Sequence, residues 1–136
     1  MTKFFCYQAP LTPVEWVRQL KVLLHREEFV DYGVVDHQKD MKAQGVASPL
    51  WAYPVIFGKP AVGATFLAIA PSAVADMPIR LGIYGGKDHS ILVYHAMSLL
   101  LAAHDGRLRV YGEQIDQTLA ALCEEMGATK IVCKMG

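Results

Sequence analysis

Trp16, Val17, Leu20, Leu23 and Leu24 recur with a period of 3.6 residues, while Arg18, Lys21, Arg26 and Glu28 fall off that stripe. The pattern predicts an amphipathic helix. Its start is marked by Thr12-Pro13-Val14-Glu15, a capping box with proline at the first helical position. Ahead of it, Lys3 to Gln8 is aromatic-rich and ends at Ala9-Pro10, which predicts a strand. Behind it, Val30, Tyr32 and Val34 alternate with Asp31 and Gly33 as a half-buried strand does. Asp36 can then cap a short helix that Gly45 stops.

From residue 51 the texture changes. Trp51 to Phe57, Ala64 to Ile69, Ile79 to Tyr84 and Ser90 to Tyr94 are short and β-rich, separated by segments carrying Gly, Pro and Asp. Four strands without long helices between them predict an antiparallel meander, with Gly58 to Gly63 as a hairpin turn. Helical periodicity returns in Ala96, Leu99, Leu100 and Ala103, and again in Ile115, Leu119, Leu122, Cys123 and Met126. The tail from Ala128 is read as an edge strand or as loose chain. The fold class is thus α+β: a β-α-β start, then a meander, giving an antiparallel sheet of five to six strands with helices packed against it. With no repeat or linker, residues 1–136 form one domain.

The meander strands are nearly continuous in apolar residues, as where Phe66 precedes Leu67 and Leu92 precedes Val93. Such strands are covered on both faces. If the helices cover one face, a second copy of the chain is the simplest cover for the other, so a homodimer through the sheet is expected. A monomer with helices on both faces satisfies the same pattern.

Composition adds to this. The chain is 53% hydrophobic with tyrosine counted, and exchanging its 6 tyrosines for its 11 glycines raises the share further, above the ~45–50% usual on that count. Yet Gly45 to Gly86 is cut by five prolines, and no apolar run approaches the ~20 residues of a membrane span. The first ten residues carry no apolar core of signal-peptide length, and the expected location is cytoplasmic. Thirteen basic residues balance thirteen acidic ones without a basic patch, which argues against nucleic acid as a partner. Cys6, Cys123 and Cys133 have no paired spacing and are expected to be reduced and free.

Between Asp36 and Asp105 the order of features resembles the domain-of-unknown-function family numbered 302. Asp36-His37 opens a short helix ending at Gly45; Phe57-Gly58-x-Pro60-x-x-Gly63 follows; then come Pro71 and Asp76-x-Pro78-x-Arg80; and Tyr94 closes a hairpin. The resemblance implies a small bacterial or archaeal protein with an antiparallel sheet and helices against it, and it supplies no reaction. This chain has Lys59 and Ala61 where the family typically has asparagine and lysine, Arg80 where lysine is common, and His95-Ala96-Met97 after the tyrosine.

Two constellations carry candidate chemistry. Asp36-His37 sets an imidazole beside a carboxylate, the makings of a general acid/base, although aspartate at a helix start is also an ordinary cap. In the hairpin, Ile79 opposite Tyr94 and Leu81 opposite Leu92 would share a face and send Arg80 to the other, where it needs an anion. Asp76 could pair with it structurally, or Arg80 could hold a ligand's carboxylate or phosphate. Arg80, Asp76, Tyr94 and Phe57 are therefore the candidate ligand-binding residues, and His37 with Asp36 the candidate catalytic ones. The histidines lack metal-ligand spacing, and no cofactor is implied. The leading expectation is a dimeric small-molecule binding or sensing module with an apolar pocket and an anion contact. A small enzyme built on His37 and a structural or partner-binding protein are the other two readings.

Overall fold

The computed structural model describes residues 3–48 and 50–133. The strands are β1 (Phe4–Ala9), β2 (Val30–Val34), β3 (Trp51–Gly58), β4 (Ile79–Gly85), β5 (Ser90–His95) and β6 (Thr129–Ile131). The helices are α1 (Pro13–Arg26), α2 (His37–Ala43), α3 (Pro60–Ile69), α4 (Met97–Ala102) and α5 (Arg109–Glu125), with 3-10 helices at Pro71–Asp76 and Gly106–Leu108. All six strands form one sheet in the order β2-β3-β4-β5-β1-β6, every pair antiparallel. The α+β reading holds.

Local chemistry starts the elements where the sequence suggests. Thr12 caps α1: its Oγ1 accepts from the Glu15 N–H at 3.2 Å and its hydroxyl donates to Glu15 Oε1 at 2.9 Å. Asp36 caps α2, with Oδ1 accepting from the Lys39 N–H at 3.0 Å. The tail forms an edge strand, since Cys6 pairs with Ile131 and Gln8 with Thr129; residues 134–136 lie outside the described chain.

One expected strand is a helix. Residues 64–69 belong to α3, and Gly58 to Gly63 is the entry to that helix rather than a hairpin turn. Pro60 at the first turn has its φ already helical and no N–H to leave unpaired. Val62, Phe66 and Ile69 then follow at i, i+4 and i+7, and all three pack on the core. The β-rich look of Thr65-Phe66-Leu67 is overridden by burial of one helical stripe. The meander therefore has three strands, with α3 and a 3-10 helix inserted between β3 and β4.

The β4–β5 hairpin is displaced by two residues from the expected register: Ile83, not Leu81, faces Leu92, and Gly85 faces Ser90. A shift of two leaves each side chain on its own face. Ile79, Leu81, Leu92 and Tyr94 are accordingly buried together, and Arg80 is exposed on the opposite face.

A single hydrophobic cluster fills the space between sheet and helices. It joins Tyr7, Val55, Phe57, Leu81, Ile83 and Leu92 of the sheet to Trp16, Leu20 and Leu24 of α1, Phe66 of α3, Leu101 of α4, and Leu119 and Leu122 of α5. Every helix that buries a large side chain, α1, α3, α4 and α5, contributes to this cluster, so these four cover one face. The other face carries half-buried Phe4, Pro54, Ile56, Ile91 and Val93 beside exposed Arg80, Tyr84 and His95.

Helices α4 and α5 meet at backbone distance. A Cβ on Gly112 would lie 2.5 Å from Ser98 Cα and 2.6 Å from the Met97 carbonyl carbon. One turn on, the Asp116 carboxylate accepts the N–H groups of Met97 at 2.8 Å and Ser98 at 3.1 Å, capping α4 from outside it. Burial raises the Asp116 pKa against the opposing pull of these two bonds.

The cysteines depart from expectation. Cys6 and Cys133 form a disulfide, and Cys123 is free and buried. They are 127 residues apart in sequence, and β6 pairing on β1 brings them together. No local spacing could signal that link.

Gly112→Ala gains about 1 kcal/mol of helix propensity but forces a Cβ into rigid backbone, at a cost of about 1–3 kcal/mol. The expected net result is a destabilised protein on urea unfolding; unchanged or increased stability would show that α4 gives way. Alkylation of denatured, unreduced protein is expected to label only Cys123. Labelling of all three cysteines before reduction would contradict the Cys6–Cys133 link.

Candidate functional site

The insertion between β3 and β4 builds a cavity. Its walls come from α3, α5, Phe29 after α1, and the stretch Met77 to Ile79 that leads into β4; its volume is about 390 Å³. Phe29, Val62, Phe66, Ile79, Tyr111 and Ile115 give it an apolar interior, with Phe66 and Tyr111 edge to face at 5.9 Å. Thr65, Gln114 and Thr118 add hydroxyl and amide groups, and Lys59 supplies the cation. The Lys59 ammonium lies 4.6 Å from the Phe29 ring centre, a cation–π contact that holds its charge at an apolar wall. Gly63 is pressed by the Met77 methyl: a Cβ there would meet it at 2.7 Å. The motif Phe57-Gly58-x-Pro60-x-x-Gly63 thus forms one side of the cavity.

Phe57 itself is buried beneath this site, edge to face with Phe29 at 5.3 Å. It supports the wall through Phe29 and does not line the cavity.

Arg80 lies elsewhere. With Ala75, Asp76, Pro78, His95, Met97 and Leu100 it lines a smaller cavity of about 230 Å³. Pro78 borders both spaces. Asp76 does not pair with Arg80, which makes no ion pair among the described residues. The Asp76 carboxylate instead bonds His104, Oδ2 to Nε2 at 2.6 Å, and the other ring nitrogen of His104 lies 2.8 Å from Ser72 Oγ. Neither Ser72 nor His104 stood out in the sequence. They lie 32 residues apart, and only the fold connects them.

Tyr94 is 3% exposed on the core face, between Phe5 and Tyr7. Its hydroxyl, beside that of Tyr7, meets no partner of hydrogen-bonding geometry among the described residues. Burial drives its pKa far above the ordinary phenol value, with Tyr7, Cys123 and Asp116 adding to the shift. Burial likewise pushes the Cys123 thiol up to about 12. At neutral pH both groups are uncharged parts of the core.

Asp36 lines a third, shallow space with Val14, Val17, Val34 and Tyr53. His37 is exposed on the first turn of α2 and makes no hydrogen bond through its ring among the described residues. Neither Asp36 nor His37 borders the cavity of Arg80. Among the described residues no three His, Cys, Asp or Glu side chains converge on a metal-sized site, and no helix is long and apolar enough to cross a membrane.

The crystal structure of an uncharacterised conserved DUF302 protein from Bacillus stearothermophilus superimposes with a TM-score of 0.81. The two are 16% identical, and the match covers 89% of this chain and 95% of that one. A likeness at that identity speaks for the fold. No curated protein matches the chain. The model of the domain of unknown function DUF302 matches residues 5–126, well beyond the 36–105 core that carried the resemblance in sequence. The match runs from β1 to the end of α5 and takes in the residues that line the Lys59 and Arg80 cavities, so the chain belongs to the DUF302 family.

Proposed function

We propose that the protein is a small-molecule binding or sensing module whose ligand is an amphipathic anion. The observation that carries this reading is the apolar cavity between α3 and α5 with one cation among the described residues, Lys59, at its wall. Pockets of this kind bind by excluding water from an apolar body and orienting it with a few polar groups. An alkyl chain would lie against Phe29, Phe66 and Ile115, and its acid group would take Lys59 in place of the Phe29 ring. Arg80, with Asp76 beside it, offers a second anion contact in the smaller cavity. Phe57 backs the wall, and Tyr94 shapes the core beneath the sheet rather than touching the ligand.

The module acts as a homodimer through the uncovered sheet face. Half-buried Phe4, Ile56, Ile91 and Val93 on that face support this part. A general acid/base role for His37 has less support, since the imidazole stands in solvent, apart from Arg80. The cytoplasmic location read from the sequence meets a disulfide, a link that oxidising compartments favour.

Titration with saturated carboxylates of increasing chain length tests the ligand class. Affinity is expected to rise about fourfold per buried CH₂ until the cavity is full. Lys59→Met is expected to weaken the acids and leave the matching alcohols unchanged, and Ala61→Trp to block both. Binding that ignores chain length, or acids unaffected by Lys59→Met, would overturn the reading. For the assembly, native mass spectrometry at micromolar concentration is expected to show a dimer that Val93→Glu converts to monomer; a wild-type monomer would remove the dimer.

A further inference from the structure

We propose that Ser72, His104 and Asp76 form a catalytic relay that hydrolyses short acyl esters at the surface beside the 3-10 helix Pro71–Asp76. This activity is independent of the cavity between α3 and α5. Ser72 and Asp76 stand on that 3-10 helix, and His104 reaches them from the turn that follows α4. The polarity of the chain follows from its acceptor. Asp76 as a carboxylate can only accept, so the 2.6 Å bond requires the proton on Nε2 of His104. In the neutral imidazole Nδ1 then carries a lone pair, and the 2.8 Å contact makes Ser72 Oγ–H its donor. Hydroxyl to imidazole to carboxylate is the order that activates a nucleophile.

Exposure also suits this use. The His104 and Asp76 side chains are 16% and 31% exposed, while Ser72 ends the chain in solvent, where a substrate carbonyl can approach. The 3-10 helix is anchored by Ala73 in the core, and the three-residue chain caps no backbone group.

In the reaction Ser72 Oγ attacks the ester carbonyl and gives its proton to His104 Nδ1. The bond to the leaving alcohol breaks, and the alcohol departs with that proton, leaving acyl-Ser72. Water then attacks the acyl carbon, passing a proton through His104 to Ser72 Oγ as the acid leaves. Asp76 is a positioning residue that holds the ring and its tautomer.

The probes are p-nitrophenyl acetate and a fluorophosphonate, with peptide mapping to place the label. Wild-type protein is expected to hydrolyse the ester and to carry the label on Ser72. Ser72→Ala, a surface change, should abolish both. His104→Gln should slow both about 100-fold or more, in line with the ~10²–10⁴ contributed by a general base. Asp76→Asn should lower kcat with KM unchanged and thermal stability near wild type. An unlabelled wild-type protein, a label on any other residue, or equal labelling in His104→Gln would overturn the proposal and leave the three side chains as a surface tie. Loss of the ester activity would not touch the carboxylate-binding reading, whose test uses a different cavity.

Discussion

β3 and β4 are neighbours in register from Trp51 opposite Gly85 to Phe57 opposite Ile79, yet the chain between them is residues 59–78. A hairpin of that register needs only a few residues to close. The excess has to leave the end of the sheet, find cover for its apolar side chains, and return beside its starting point. It does so as α3 and a 3-10 helix, burying Phe66 and Ala73 on the same face as every other buried helical side chain. The remaining features follow from that detour. The cavity is the space left where α3 and α5 share one end of the sheet, Lys59 is the first residue out, and Ser72 and Asp76 lie on the return path.

The detour also explains the lopsided architecture. Four helices, α1, α3, α4 and α5, share one face, and α4 and α5 fit only by touching through Gly112, with Asp116 supplying the carboxylate that the short α4 lacks at its own start. None of these four helices buries a side chain on the opposite face among the described residues. Its apolar residues stay half-buried, and its edge is closed by β6, held to β1 by three residue pairs and the Cys6–Cys133 bond.

Much of the frame was legible because it is written in local patterns. Trp16, Leu20 and Leu24 announced α1, Thr12 its cap, and Asp36 the start of α2. The faces of β4 and β5 came out right despite a hairpin register two residues off, because side-chain direction depends only on parity. The strand expected at 64–69 failed for a reason of scale. Over five residues Thr-Phe-Leu-Ala-Ile looks pleated, and only the longer reach from Pro60 through Val62, Phe66 and Ile69 shows the helical stripe. The candidate site was less legible. In the sequence Lys59 stands out only as a departure from a family pattern, and Asp76 offers itself as a partner for Arg80. Its true partner, His104, stands 28 residues on. Contacts of that kind, like Cys6 with Cys133, exist only after the sheet has assembled.

Residues 60–69 are helical and lie over the core between β3 and β4. Cα secondary chemical shifts in solution test this directly. A continuous run of helical shifts is expected from Pro60 to Ile69, flanked by strand shifts in 51–57 and 79–84. Strand shifts across 64–69 would contradict it, and with it the cavity, the placement of Lys59 and the return path of Ser72 and Asp76.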